Sequence, residues 1–140
     1  MFYTKLSGVR SVEFIRCMGN KLLFIEARTT FANPDNPAEG NFARYLDEIN
    51  EISEKFVHSL SMYSSIIIGE NSTNLPDDFN PQDKTSLIFI LVIKTHKQEW
   101  CKPIFAKILE TLPHYIKEIW KPQVLVINHE TAVCQNLVVR

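Results

Sequence analysis

The sequence predicts a single-domain α/β sandwich built on a mixed central sheet, with an N-terminal β-hairpin followed by helix, strand, helix and strand. Three observations carry this. Two β-branched and aromatic runs flank a Gly-Asn turn near the N-terminus. A long stretch with apolar residues at spacings of three and four follows, and two apolar, β-branched runs, Leu87–Ile93 and Gln123–Asn128, come later with helical sequence between them. Strands separated by helices imply at least some parallel pairing, and a hairpin adds an antiparallel edge.

The hairpin comes first. Val12–Arg16 and Leu22–Ala27 read as strands, with Met18-Gly19-Asn20-Lys21 between them. Glycine and asparagine both tolerate positive φ, so the pair marks a two-residue turn. That turn sets the register: Met18 faces Lys21, Cys17 faces Leu22, Ile15 faces Phe24 and Glu13 faces Glu26. A short strand over Phe2–Leu6 is expected to precede it. Residues 30–41, with Pro34, Pro37 and Gly40, form a loop.

Phe42, Leu46, Ile49, Ile52, Phe56, Leu60, Tyr63 and Ile67 then define one buried stripe of a helix that stops at Gly69. Glu51 and Lys55 form an i,i+4 pair on it in the favourable order. Residues 70–86, with Pro76, Pro81 and several acids, are expected to be a surface loop. Leu87–Ile93 is apolar at every position, as a strand covered on both faces must be. A second helix spans Lys102 to Trp120, with Pro103 in its first turn and Pro113 kinking or splitting it. Gln123–Asn128 is a core strand, and Leu137–Val139 a further edge.

Composition narrows the function. The chain has 140 residues, 45% hydrophobic and 22% charged, enough for one domain with a sizeable core. A net charge of -1 provides no global positive field, so any nucleic-acid role needs a local groove. Cys17, Cys101 and Cys134 are odd in number and widely spaced, which predicts three reduced, buried thiols in a cytoplasmic protein. No apolar run is long enough to span a membrane. The four glycines leave no phosphate-binding glycine loop, and no Gly-x-Ser-x-Gly elbow occurs. His58, His96 and His114 read as surface or satisfied histidines, and His129-Glu130 borders a strand end. Trp100 and Trp120 read as core packing. No strong patch argues for an oligomeric state.

The chemistry concentrates on the hairpin. Glu13 opposite Glu26 places two carboxylates about 5 Å apart at their Cβ atoms on one face of a sheet, which is unfavourable without compensation. A divalent cation can bridge them, one can hold a proton, or Arg28 can neutralise the pair. These three remain open on the sequence.

A hairpin whose second strand reads Leu23-Phe24-Ile25-Glu26-Ala27-Arg28, with an acid at Glu13 on the first strand, followed by helix and core strand, resembles the PD-(D/E)XK nuclease superfamily. The chain also resembles bacterial proteins of unassigned function in which a hydrophobic-Glu-Ala-Lys strand precedes a helix similar to Glu51-Ile52-Ser53-Glu54-Lys55-Phe56. The resemblance spans residues 9–93 and implies a restriction-endonuclease-like fold. It implies hydrolysis of DNA or RNA phosphodiesters with Mg²⁺ or Mn²⁺ held by Glu13, Glu26 and the Ala27 carbonyl. Two departures stand out: the first acid is Glu rather than Asp, and the lysine position holds Arg28. Arginine stays protonated and acts as a planar fork, a poor proton shuttle. Some members of the superfamily carry the lysine on the neighbouring helix, where Lys55 stands; as a plain surface residue it would pair with Glu51. Arg10, Arg16 and Arg44 are further cations near the hairpin. The alternative implied by the same departures is an inactive nuclease-like module that binds a protein or nucleic-acid partner.

Overall fold

The computed structural model describes residues 2–3, 12–68 and 86–135. Five strands form one sheet in the order β1 (Phe2–Tyr3), β2 (Phe14–Met18), β3 (Lys21–Arg28), β4 (Ser86–Ile93) and β5 (Gln123–Asn128). The first three pair antiparallel, and β4 and β5 add in parallel, so the sheet is mixed. The expected 70–86 loop, apart from Ser86 at the start of β4, lies outside the described residues, as do the Leu137–Val139 edge, the end of the Phe2–Leu6 strand and Arg10.

The turn fixes the register as its sequence demands: Met18 pairs with Lys21, Cys17 with Leu22 and Ile15 with Phe24. Gly19 alone takes positive φ (59°), the glycine-first II′ pattern, so the freedom of Asn20 is not used. The second parallel-capable strand, β4, is covered on both faces. Phe89, Leu91 and Ile93 join the larger core cluster, while Ile88, Ile90 and Val92 join a second cluster on the opposite face with Leu23, Ile25 and Ile127.

Helix α1 (Asn41–Ile68) crosses from β3 to β4 and α2 (Cys101–Thr111) from β4 to β5, both on the face of the larger cluster. Phe56 of α1 stacks on Phe89 with ring centroids 4.7 Å apart, and Phe89 stacks on Phe24. The ends of the α1 stripe depart from expectation. Phe42 and Ile67 are exposed, while Tyr45, Met62 and Ile66 are buried. A short helix α3 (His129–Cys134), capped by the Asn128 side chain accepting from Thr131 N, puts Ala132 into the second cluster.

The second helix is split, not kinked. Leu112 is extended (ψ 138°), the conformation forced on a residue that precedes proline, so α2 ends there. A separate π-helical turn, Ile116–Trp120, follows and closes on Lys121 in the left-handed region. It buries Ile116 but leaves Ile119 and Trp120 exposed, as is Tyr115 just before it. Trp100 is also exposed, on a 3₁₀ turn (Gln98–Trp100) ahead of α2, so neither tryptophan is core. The thiols differ as well: Cys101 is buried, Cys17 half-buried and Cys134 exposed, none of them in a disulfide. Burial pushes the Cys101 thiol up, away from reactivity.

Candidate functional site

Side chains alternate along a strand, so Phe24, Glu26 and Arg28 share the face that α1 covers. Phe24 is core. Glu26 and Arg28, two and four residues on, carry that face to the C-terminal end of β3. Glu26 is only 1% exposed. A buried carboxylate survives only with partners, and Glu26 has three. Lys55 Nζ donates to Oε2 at 2.7 Å, Arg28 Nε donates to the same oxygen at 3.2 Å, and the Glu13 backbone N–H donates to Oε1 at 3.2 Å.

Each partner arrives for a local reason. Strand β2 begins at Phe14, opposite Ile25, so Glu13 stands one step outside the ladder. Its N–H, released from the ladder, turns to the carboxylate instead. The expected juxtaposition of Glu13 and Glu26 is thus made through the Glu13 backbone, with the residue itself exposed. Arg28 lies two residues along the same face and reaches both acids: its Nη2 is 2.9 Å from Glu51 Oε1, an ion-pair distance without hydrogen-bond alignment. Lys55 follows Ile52 and precedes Phe56, both fully buried, which rotates it to the flank of α1 that faces the hairpin. It keeps Glu51 as a second, longer partner at 3.8 Å. Lys55 therefore contacts both carboxylates, the strand Glu26 and the helix Glu51.

The remaining lysine-and-acid geometry comes from a stripe that the apolar pattern hides. Glu48, Glu51, Lys55 and Ser59 repeat at spacings of three, four and four, parallel to the core stripe. Ser59, completely buried, accepts from Val12 N at 2.8 Å, and Glu48 accepts from Ala32 N at 2.7 Å. These two residues, absent from the sequence-derived set, dock α1 against both ends of the hairpin segment and hold Lys55 and Glu51 between them. The signal for them was polar periodicity beside apolar periodicity.

The Ala27 carbonyl has a definite orientation. Arg28 C=O accepts from Lys94 N on the β4 side, and carbonyls alternate along a strand, so Ala27 C=O faces the β2 side. There the β2 pairing has already ended at Phe14. Among the described residues no cluster of three or more His, Cys, Asp or Glu side chains is arranged to hold a metal ion. Carboxylate and carbonyl oxygens such as Glu26 Oε1, which accepts from the Glu13 N–H, and the Ala27 carbonyl are of the hard-donor type that Mg²⁺ or Mn²⁺ takes.

The other candidates separate. His58, exposed, lines a shallow groove of about 310 Å³ between α1 and α2 with Ser53, Glu54 and Thr111. His114 is exposed and His129 half-buried, both on other elements. Arg16 lies within β2, and Arg44 pairs with Glu48 on the first turns of α1. His96 is neither surface nor satisfied: it is buried against Phe31 and Trp100, with Nε2 lacking a hydrogen-bond partner. Burial lowers its pKa, opposed in part by Glu48.

No family model, curated protein or solved structure matches this chain. Within the described residues no helix is long and apolar enough to cross a membrane. Function therefore rests on the site itself.

Proposed function

We propose that this protein is a restriction-endonuclease-like phosphodiester hydrolase acting on nucleic acid, with Glu26 and Lys55 at its centre. The observation that carries the reading is the 2.7 Å contact between Lys55 Nζ and the buried Glu26, in a hairpin–helix–strand arrangement with a second acid, Glu13, beside them. A lysine held against a strand carboxylate from a neighbouring helix is what the resemblance requires once Arg28 stands at the strand position.

Mg²⁺ or Mn²⁺ would be held by Glu26, Glu13 and the Ala27 carbonyl, and bound there it supplies charge stabilisation and an acidified water. The protein's own groups divide the remaining work. Glu26 orients Lys55, whose ammonium carries protons toward a phosphate bound at the strand end. Arg28, fixed by Glu26 and Glu51, offers a planar fork to developing negative charge but does not shuttle protons. The reading predicts that millimolar Mn²⁺ raises the melting temperature of the wild type and supports cleavage of DNA or RNA. A ligand at 100 times its dissociation constant adds about 2.7 kcal/mol to stability, readily seen in a melt. Glu26→Gln should lose both responses.

One observation favours a second reading. Two cations already converge on Glu26 Oε2, and this balances its charge without any ion. In a non-catalytic, partner-binding module the Glu26–Arg28–Lys55–Glu51 cluster is purely structural. Absence of any Mn²⁺ shift and of cleavage, with a large loss of stability in Glu26→Gln, would select that reading.

A further inference from the structure

The loops that leave β3 and β4 run side by side beyond the site. Lys94 N donates to Arg28 C=O at 2.8 Å and Thr95 N to Thr29 C=O at 3.1 Å, so the segment that leaves β4 at Lys94 runs alongside the end of the Glu26 strand. Across the start of α1 and these loops an unbroken row of rings runs from Phe42 through Tyr45, Phe31 and His96 to Trp100, with successive centroids 5.5–6.4 Å apart. The middle of the row is buried and both its ends are open: Phe42 is 59% exposed and Trp100 is 38% exposed. Phe31 stands three residues past Arg28, a span of about 10 Å.

A row of rings is usually core. Here one of the two open ends is also flanked by charge. Lys97 Nζ lies 5.4 Å from the centroid of the Trp100 ring, and residues 94–102 carry Lys94, Lys97 and Lys102 against the single acid Glu99. In a chain of net charge -1, this is a local excess of positive charge. It adjoins Arg28. An exposed aromatic face flanked by lysines is the pairing that binds unstacked bases and their phosphates. A duplex offers no base face to such a ring.

We infer that the Trp100 end of this row is a stacking platform for single-stranded nucleic acid leading to the Glu26–Lys55 site. The inference rests on the reading of that site as a phosphodiester site and specifies its substrate as single-stranded. A base takes the ring face that Lys97 now covers, and the displaced ammonium pairs with its phosphate. His96 packs against the ring in an edge contact, its plane at 88° to that of Trp100.

The chain has two tryptophans, so in a Trp120→Phe background Trp100 is the sole indole reporter. Titration in EDTA, which separates binding from cleavage, should show saturable quenching by poly(dT) or poly(U) oligonucleotides that weakens as salt rises. The two oligonucleotides tell which sugar is preferred. A labelled oligonucleotide should bind Trp100→Leu about tenfold or more weakly, at the low end of what one stacked base contributes, while Trp100→Phe retains most of the affinity. A matched duplex should bind at least tenfold more weakly than the single strand. Equal affinity for duplex and single strand, no binding of either, or Trp100→Leu binding as well as wild type while Trp100→Phe also shows no change, overturns the inference. Single-strand binding without cleavage in Mn²⁺ would remove the hydrolytic reading alone. Cleavage indifferent to Trp100 would remove the platform alone.

Discussion

Glu26 and His96 are both buried polar side chains near the C-terminal ends of adjacent strands, and they have been treated in opposite ways. Glu26, on β3, receives two cationic donors and one amide. His96, three residues past β4, is packed between aromatic rings with Nε2 unpaired. The difference follows from what each group can do. A carboxylate cannot be buried bare, so the fold brings Lys55 and Arg28 to it. An imidazole can shed its proton and enter an apolar niche as a neutral ring, and the lowered pKa records that choice. One site is held together by charge, the other by its loss.

Removing the charge at the first site should have the largest effect. Glu26→Gln leaves Lys55 and Arg28 facing an amide and should destabilise the fold by about 3 kcal/mol, the low end for breaking a buried pair because both cations are partly exposed and keep Glu51. Urea unfolding measures this. A loss under 1 kcal/mol would mean that the cluster relaxes into water and that Glu26 is not structurally constrained.

Lys55→Met sharpens the same side of the comparison. Glu26 would retain Arg28 and the Glu13 N–H, so about 1.5–2 kcal/mol should be lost, the low end for one hydrogen bond to a charged group. If cleavage is observed, this variant should abolish it while Arg28→Lys preserves or improves it. An arginine-dependent activity indifferent to Lys55 would reverse their assigned roles.

The smallest effect belongs to His96 and depends on pH. Its folded-state pKa lies below the ordinary 6.5, so the unfolded chain binds the proton more readily. Its contribution to stability is intact above about pH 6.5 and declines as pH falls from there toward the lowered folded value. His96→Phe, which keeps a ring between Phe31 and Trp100, should flatten the stability profile between pH 7 and pH 5 and leave stability at pH 7 nearly unchanged. An identical slope in wild type and variant would show that carboxylates alone set the acid response.

The same contrast explains what was legible beforehand. Glu26 could be found because a charged residue interrupts an apolar strand, and the Gly19-Asn20 turn fixes its register against Glu13. Lys55 could be found by its place one step from the Ile52–Phe56 stripe. Ser59 and Glu48 were missed because a serine or glutamate on a helix looks solvated until a backbone N–H from another segment is brought to it. His96, Trp100 and Trp120 were misread for a related reason. Composition says that large rings go inside, but only the path of the 94–102 loop and the break at Leu112–Pro113 decide which rings find neighbours.

The sequence by itself determined the hairpin and its register, the order of strands and helices, the two-faced burial of β4 and the break before Pro113. These follow from turn chemistry, periodicity and proline sterics, all acting within a few residues along the chain. Tertiary structure alone decided that Lys55 and Arg28 meet on one oxygen of Glu26, that Glu13 meets the other through its backbone, and that rings from three segments form one row. Those contacts join residues as many as 65 positions apart, and their geometry depends on how the segments seat on the sheet, which local preferences do not encode.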